Sequence, residues 1–459
     1  MTARAGVAAL ALAPVAALVA FGLLQEPELP QLFPDSSSYL NWQPTRSIGY
    51  PLLLSAVRAV DPSLRSLPAL QLTLFACATL LLAEACRYAT GSMPLALFVG
   101  GGTLANAALG RFQLGVLSDA PFASLLVLHL ASFLALNRHA TRLRWLGLSL
   151  TLAGAVLVRP AGLSLLVPLL PLLLRASREA WLAALVPAAA LWLTAAGANL
   201  AWRGSFALQE FGGLSMIGHV AQLIDGREDP RHDALAQQLA DELGPWRRAA
   251  QARRWPDERV LFSAVEWNPM FGVANRRLAA YLDEGGAPAL AGLPRTVALN
   301  RIAGELSRGT ILSHPAAYMA HVAAHVYGLW VIPQWVSAAE FSRIESQFEA
   351  RHPDVRLLPG HRERYLGFLS VRSGPFLLVK RGLVAVFFLA ATLGVLLPLK
   401  RGLGAPTDRA WFFAALNLHA GLLLVAAANA ALWRYSIVWW PYALLATGLC
   451  FMSWRGGRV

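Results

Sequence analysis

Apolar blocks of about 18 to 20 residues recur along this chain, the length a helix needs to cross the hydrocarbon of a bilayer. In 125–136 and 383–399 nearly every residue is apolar, so a helix there has no polar side to turn to water. A helix of a soluble protein carries instead an apolar stripe of period 3.6. Of 459 residues 56% are hydrophobic and only 14% are charged, which excludes an ordinary soluble core. The chain reads as an all-α, multi-spanning membrane protein.

The net charge of +13 does not point to nucleic acid, because Lys and Arg gather in short loops between the apolar blocks. Such loops stay on the cytoplasmic side, against anionic headgroups. The run 137–144, with Arg138, His139, Arg142 and Arg144, marks that side most strongly. Counted from it, 1–24 is a retained first span and 49–60 an interfacial or re-entrant helix. Crossings follow over 67–86, 94–109 and 121–136, with a tight outer turn at 111–119. Two short spans, 145–158 and 162–174, hinge at Arg159-Pro160; Arg175 and Arg178 bring the chain inside, and 181–202 crosses outward.

Residues 203–313, rich in charge, Trp and Pro, read as an extracytoplasmic helical domain of about 110 residues, near the usual domain size. His314-Pro315 opens a helix that runs through Trp330 and stops at Pro333, expected to lie amphipathically at the outer surface. Crossings at 382–399, 411–428 and 435–451 end at Arg455 and Arg458. The sum is about ten spans with both termini inside. The chain thus divides into an N-terminal transmembrane module (1–202) with a first outer loop at 25–50, the helical domain with its interfacial helix (203–373), and C-terminal transmembrane helices (374–459). No internal repeat is visible, and Cys77, Cys86 and Cys450 read as small buried hydrophobes inside apolar blocks.

Asp35, Tyr39, Arg46 and Tyr50 lie in and just after the first outer loop. Ionisable groups at a membrane edge are expensive to keep, so they point to a site for a charged ligand. In this topology Asp35, Arg46, Arg111, Asp119, Arg159 and Arg434 all fall on one side of the membrane. Four of them have a structural alternative: Asp35 and Asp119 as helix caps, Arg159 as partner to carbonyls freed at Pro160, and Arg434 as a snorkelling anchor among Trp residues. His321 and His325 are spaced i, i+4, a spacing that sometimes binds a metal, but Val322 stands where a zinc protease needs Glu. No metal ligands are assigned, and a divalent metal stays open as a cofactor. No Gly-rich phosphate loop follows a strand, so a nucleotide-binding fold is not indicated.

Asp35-x-x-x-Tyr39 followed by Arg46-x-x-Gly49-Tyr50-Pro51-Leu52-Leu53-Leu54 resembles the first outer loop of the GT-C glycosyltransferases, with Ile48 where a proline is common. The branch that it looks most like holds the protein O-mannosyltransferases and the aminoarabinose transferases of lipid A. Arg434-Tyr435 with Pro441 after it, Arg159, and Asp119 at the start of its span are similar to positions of the same branch. The resemblance implies a GT-C-like bundle in a cytoplasmic (inner) membrane, its active site facing the extracytoplasmic or periplasmic side. It implies transfer, with inversion, of one sugar from a polyprenyl-phosphate donor to a lipid, cell-wall glycan or secreted protein. Asp35 would then be the general base and Asp119 a second carboxylate. Arg434, Arg159 and Arg46 would hold the donor phosphate, and Tyr39, Tyr50 and Tyr435 would touch substrate. A flippase or transporter of lipid-linked sugars and a glycan ligase or polymerase are the alternatives.

Overall fold

The computed structural model describes residues 30–454 except 34, 175, 228–229, 332–334, 354–365, 367–368 and 430. The expected first span (1–24), Pro34, Arg175, Pro333 and the terminal Arg455 and Arg458 lie outside the described residues. Among the described residues the architecture is all-α apart from a short parallel pair, Trp335–Val336 with Ser370–Val371, and an isolated bridge between Gln31 and Gly115.

A five-residue helix, α1 (Ser36–Leu40), is followed by α2 (Gly49–Val60) and the long α3 (Leu67–Thr90). α3 ends at Gly91, whose φ of 71° a side chain would resist. α4 (Met93–Leu104) and α5 (Ala107–Phe112) come next. The crossing expected over 94–109 is therefore interrupted: Asn106 Oδ1 accepts from the amides of Ala108 and Leu109 at 3.1 and 3.2 Å, capping a new helix. Then follow α6 (Asp119–Arg138) and α7 (Arg142–Val158). At Pro160 the chain folds back through a 3-10 turn, Pro160–Leu165, into α8 (Leu166–Leu173). Gly162 permits that return, since a Cβ there would meet the Ala155 carbonyl carbon at 2.7 Å. α9 (Arg178–Arg203) completes this half.

α10 (Gly212–Val220), α11 (Asp233–Gln251), α12 (Asp257–Asp283) and α13 (Arg295–Ser313) form a helical unit around their own core, with Ile217, Leu239, Leu243, Leu278, Ile302 and Leu306 at its centre. α14 (Pro315–Val331) departs from the expected surface helix. It wedges between this unit and a membrane helix, burying Val322, His325, Gly328 and Leu329. α15 (Ala338–Arg351) is tied back by buried Glu266, which faces Arg351 and His352, each at 2.6 Å.

α16 (Gly374–Lys400) and α17 (Pro406–Ala428) form a long antiparallel pair. The last crossing, expected over 435–451, is broken into α18 (Trp433–Ile437) and α19 (Trp440–Trp454). Pro441 explains the break: without an amide proton it fits only the first turn of a helix, so the helix restarts at Trp440. Among the described residues five helices are long and apolar enough to cross a membrane: α3, α6, α9, α16 and α17. The protein is thus an all-α membrane protein. Of the cysteines, Cys86 is buried and Cys450 partly so, while Cys77 lies on the exposed face of α3, contrary to expectation.

Candidate functional site

Asp35 precedes α1 at the position of a helix cap, yet its side chain makes no capping bond. Oδ1 accepts from Arg46 Nη2 at 2.7 Å, and Oδ2 lies 3.0 Å from Arg434 Nη1. One carboxylate therefore joins the first loop to α18. Burial opposes the charge on Asp35, but Arg434 and Arg46 outweigh it and hold the carboxyl down at about 2.

From Asp35 the contacts run on as a ring. Arg46 Nε donates to Ser38 Oγ at 2.7 Å, and its guanidinium sits 4.8 Å over the Tyr39 ring. Tyr39 and Ser118 share a hydroxyl hydrogen bond of 2.8 Å. Beside Ser118, Asp119 is almost fully buried and paired with Arg159. Arg159 stacks 5.2 Å from the Tyr435 ring, and Arg434 Nη2 donates to the Tyr435 hydroxyl at 3.1 Å, closing the circuit. Neither Asp119 nor Arg159 takes its plainer role; they satisfy each other. Arg46, Arg159 and Arg434 against Asp35 and Asp119 leave one unbalanced positive charge (3 − 2), so the ring favours an anion. Asp35, Arg46 and Arg434 keep 25%, 21% and 26% of their side-chain surface exposed, enough for a ligand to reach them.

The backbone around the ring is held in several ways. Gln31 pairs with the 114–116 segment, donating to the Leu114 carbonyl and accepting from the Val116 amide at 3.0 Å each. Ser36 Oγ donates to the Val116 carbonyl at 2.8 Å, which fixes the distance from Asp35 to Asp119. Gly49 lets α2 dock on the end of α7, where a Cβ would stand 2.7 Å from the Leu157 carbonyl oxygen. Arg203, ending α9, donates to the carbonyls of Trp42 and Arg46 at 3.0 and 3.2 Å. It clamps a turn in which Trp42 has φ 51°, an uncommon value for a residue with a side chain.

Two sequence expectations shift. Tyr50, expected at the substrate, is fully buried behind Tyr39, with its hydroxyl donating to Gln71 Oε1 at 3.2 Å. It is part of the wall. Arg111 joins Asn106, Arg372 and Lys380 along a separate groove of about 650 Å³, whose other sides are apolar, among them Leu383, Phe387 and Trp440. Ser436 and Ile437 line the same groove, so α18 carries both Arg434 and one end of it. Sequence reading missed Ser38, Ser118, Gln71 and Arg203. The serine run after Asp35, and a lone arginine ending an otherwise apolar helix, were the available signals.

His314, just before α14, faces Asp225 at 3.2 Å. His321 and His325 meet His219, a residue the sequence did not single out. Compared with known proteins, the chain matches no family model, no curated protein and no solved structure.

Proposed function

We propose that this protein is a membrane glycosyltransferase of GT-C type, one that moves a single sugar from a polyprenyl-phosphate donor to an extracytoplasmic acceptor with inversion. The observation that carries the reading is the sharing of Asp35 between Arg46 and Arg434, with Asp119 and Arg159 completing the ring. A carboxylate among guanidinium groups is what transfer from a phosphate leaving group requires: cations for the departing anion and a base for the incoming hydroxyl.

In the resting ring Asp35 is a poor base, because its proton affinity is low. A donor phosphate changes that. It takes Arg434, Arg159 and Arg46 as partners, bidentately where geometry allows, and draws Arg434 and Arg46 off the Asp35 carboxylate. Asp35 then loses cationic neighbours, its pKa rises, and it accepts a proton. The acceptor hydroxyl oxygen bonds to the anomeric carbon as the bond from that carbon to the phosphate oxygen breaks. The electron pair leaves on the polyprenyl phosphate, and the hydroxyl proton passes to Asp35. Asp119 keeps Arg159 aimed at the leaving group, and Tyr39 and Tyr435 flank the sugar. The apolar groove beside α18, with Arg111, Arg372 and Lys380 along it, suits an isoprenoid chain with an anionic head.

About ten spans in the cytoplasmic (inner) membrane, with the ring on the periplasmic side, accommodate this chemistry, since lipid-linked sugars are the donors available there. A flippase would use the same cations without cleaving the donor. Release of free polyprenyl phosphate from an added polyprenyl-phosphate sugar separates the two, and mass spectrometry of envelope lipids, glycans and secreted proteins from cells with and without the protein identifies the acceptor. Transfer predicts one sugar-bearing species lost with the protein; an unchanged envelope would count against it.

A further inference from the structure

α14 sets His321 and His325 one turn apart on one face, with ring centroids 4.2 Å apart, and α10 brings His219 to 4.5 and 4.9 Å from them. One nitrogen from each ring lies within 4.8 Å of the others. His219 and His325 are 2% and 1% exposed; neither nitrogen of His325 has a hydrogen-bond partner among the described residues, and His219 meets the Ala426 backbone too loosely to make a full hydrogen bond. A neutral imidazole presents one N–H and one lone pair, and stranding both inside a protein is costly. Histidines packed only for shape leave that cost unexplained. A shared cation takes the lone pair of each ring and so removes that share of it.

The third ring has a partner suited to the same purpose. Gln222 Nε2 stands 2.8 Å from His321 Nδ1 and 3.2 Å from Nε2. The two ends of a carboxamide exchange by a simple flip, which presents the Gln222 carbonyl to an Nδ1–H of His321 and frees Nε2 as a ligand. Metal-bound histidines characteristically donate their second N–H in this way.

We propose that His219, His321 and His325 form a binding site for a first-row transition-metal ion of the Zn²⁺ class. Three imidazoles select such ions over Mg²⁺ and Ca²⁺, which take oxygen ligands. Tetrahedral Zn–N bonds hold ligand nitrogens about 3.4 Å apart, within reach of small ring rotations here. Water fills the fourth position. The ion locks α10 to α14 where both seat on the end of α17: Ser215 Oγ donates to the Ala428 carbonyl at 3.1 Å and the Tyr318 hydroxyl to that of Ala427 at 2.7 Å. Arg434 follows Ala428 by six residues in the sequence (434 − 428), so the metal steadies the end of α17 from which that arginine is carried. The site does not depend on the proposed transfer reaction.

The test uses the full chain, purified in detergent without a histidine tag. Metal content is measured by mass spectrometry, and the chelator-stripped protein is titrated with Co²⁺ and then Zn²⁺. About one ion per chain, visible tetrahedral Co²⁺ bands that Zn²⁺ removes, and a rise in melting temperature with Zn²⁺ are expected. His219→Gln and His325→Gln, which keep most of the volume, abolish the bands and the rise, and Gln222→Ala weakens binding about 10- to 100-fold. No bands and no thermal shift in the wild-type chain would overturn the site, whether or not the variants fold. So would histidine variants that bind as the wild type does.

Discussion

Asp35 is the residue on which the proposed chemistry turns. Its carboxyl is held at about 2 against an ordinary 3.8, so its pairing adds stability above about pH 4, and that contribution is lost as the pH falls from there towards 2. Asp35→Asn removes the titration. Acid unfolding monitored from pH 5 to 2 should therefore be shallower in the variant; identical profiles would mean that Asp35 is not ion-paired. The same substitution should lower transfer by about 10²- to 10⁴-fold, the usual worth of a general base. Arg434→Lys keeps the charge but loses the planar fork, so donor affinity should fall measurably, and more in Arg434→Ala. Unchanged donor binding in Arg434→Ala would remove that residue from the phosphate site. The sequence made these residues legible because charge beside a membrane is rare. It did not reveal that Tyr50 is a wall residue: its phenol looks the same in the motif whether it faces ligand or, as here, Gln71.

Among the elements, the long helices could be read from apolar length alone, and α2 appears where a short run after Pro44 and Gly49 suggested it. The breaks were less legible. Asn106 and Pro441 interrupt apolar runs that hydropathy treats as continuous, and it takes cap geometry at one and a missing amide at the other to split them. α14 was misread because both of its sides pack against protein, Tyr318 and Trp330 on α17 and His321 and His325 on His219 of the helical unit, which its sequence does not distinguish from a helix lying on lipid. Glycines report close contacts between elements. Gly49→Ala would push α2 from the end of α7, with the Cβ 2.7 Å from the Leu157 carbonyl oxygen. Overpacking of this kind costs about 1–3 kcal/mol. A lowered melting temperature together with reduced transfer is expected; wild-type values for both would show that the docking of α2 does not hold the loop.

In the whole molecule, residues far apart in sequence meet at one ring: Asp35 from the first loop, Asp119 and Arg159 from the ends of α6 and α7, and Arg434 from near the C-terminus. Side counting from basic loops had put these groups on one face. It had no means of pairing them, since which carboxylate meets which guanidinium depends on the Gln31 and Arg203 contacts that fold the loops together. The helical unit over 212–313 was recognisable by its charge and Trp content, but its contribution to the seat of α14 on α17 was not. The central claim is that Asp35 takes a proton while the arginines around it hold a departing isoprenoid phosphate. Its most direct test measures polyprenyl phosphate released from an added polyprenyl-phosphate sugar in membranes that contain the native acceptor and either the wild-type protein or Asp35→Asn. The wild type should release it, and the variant should still bind donor but release almost none. Equal release by both proteins would contradict the claim.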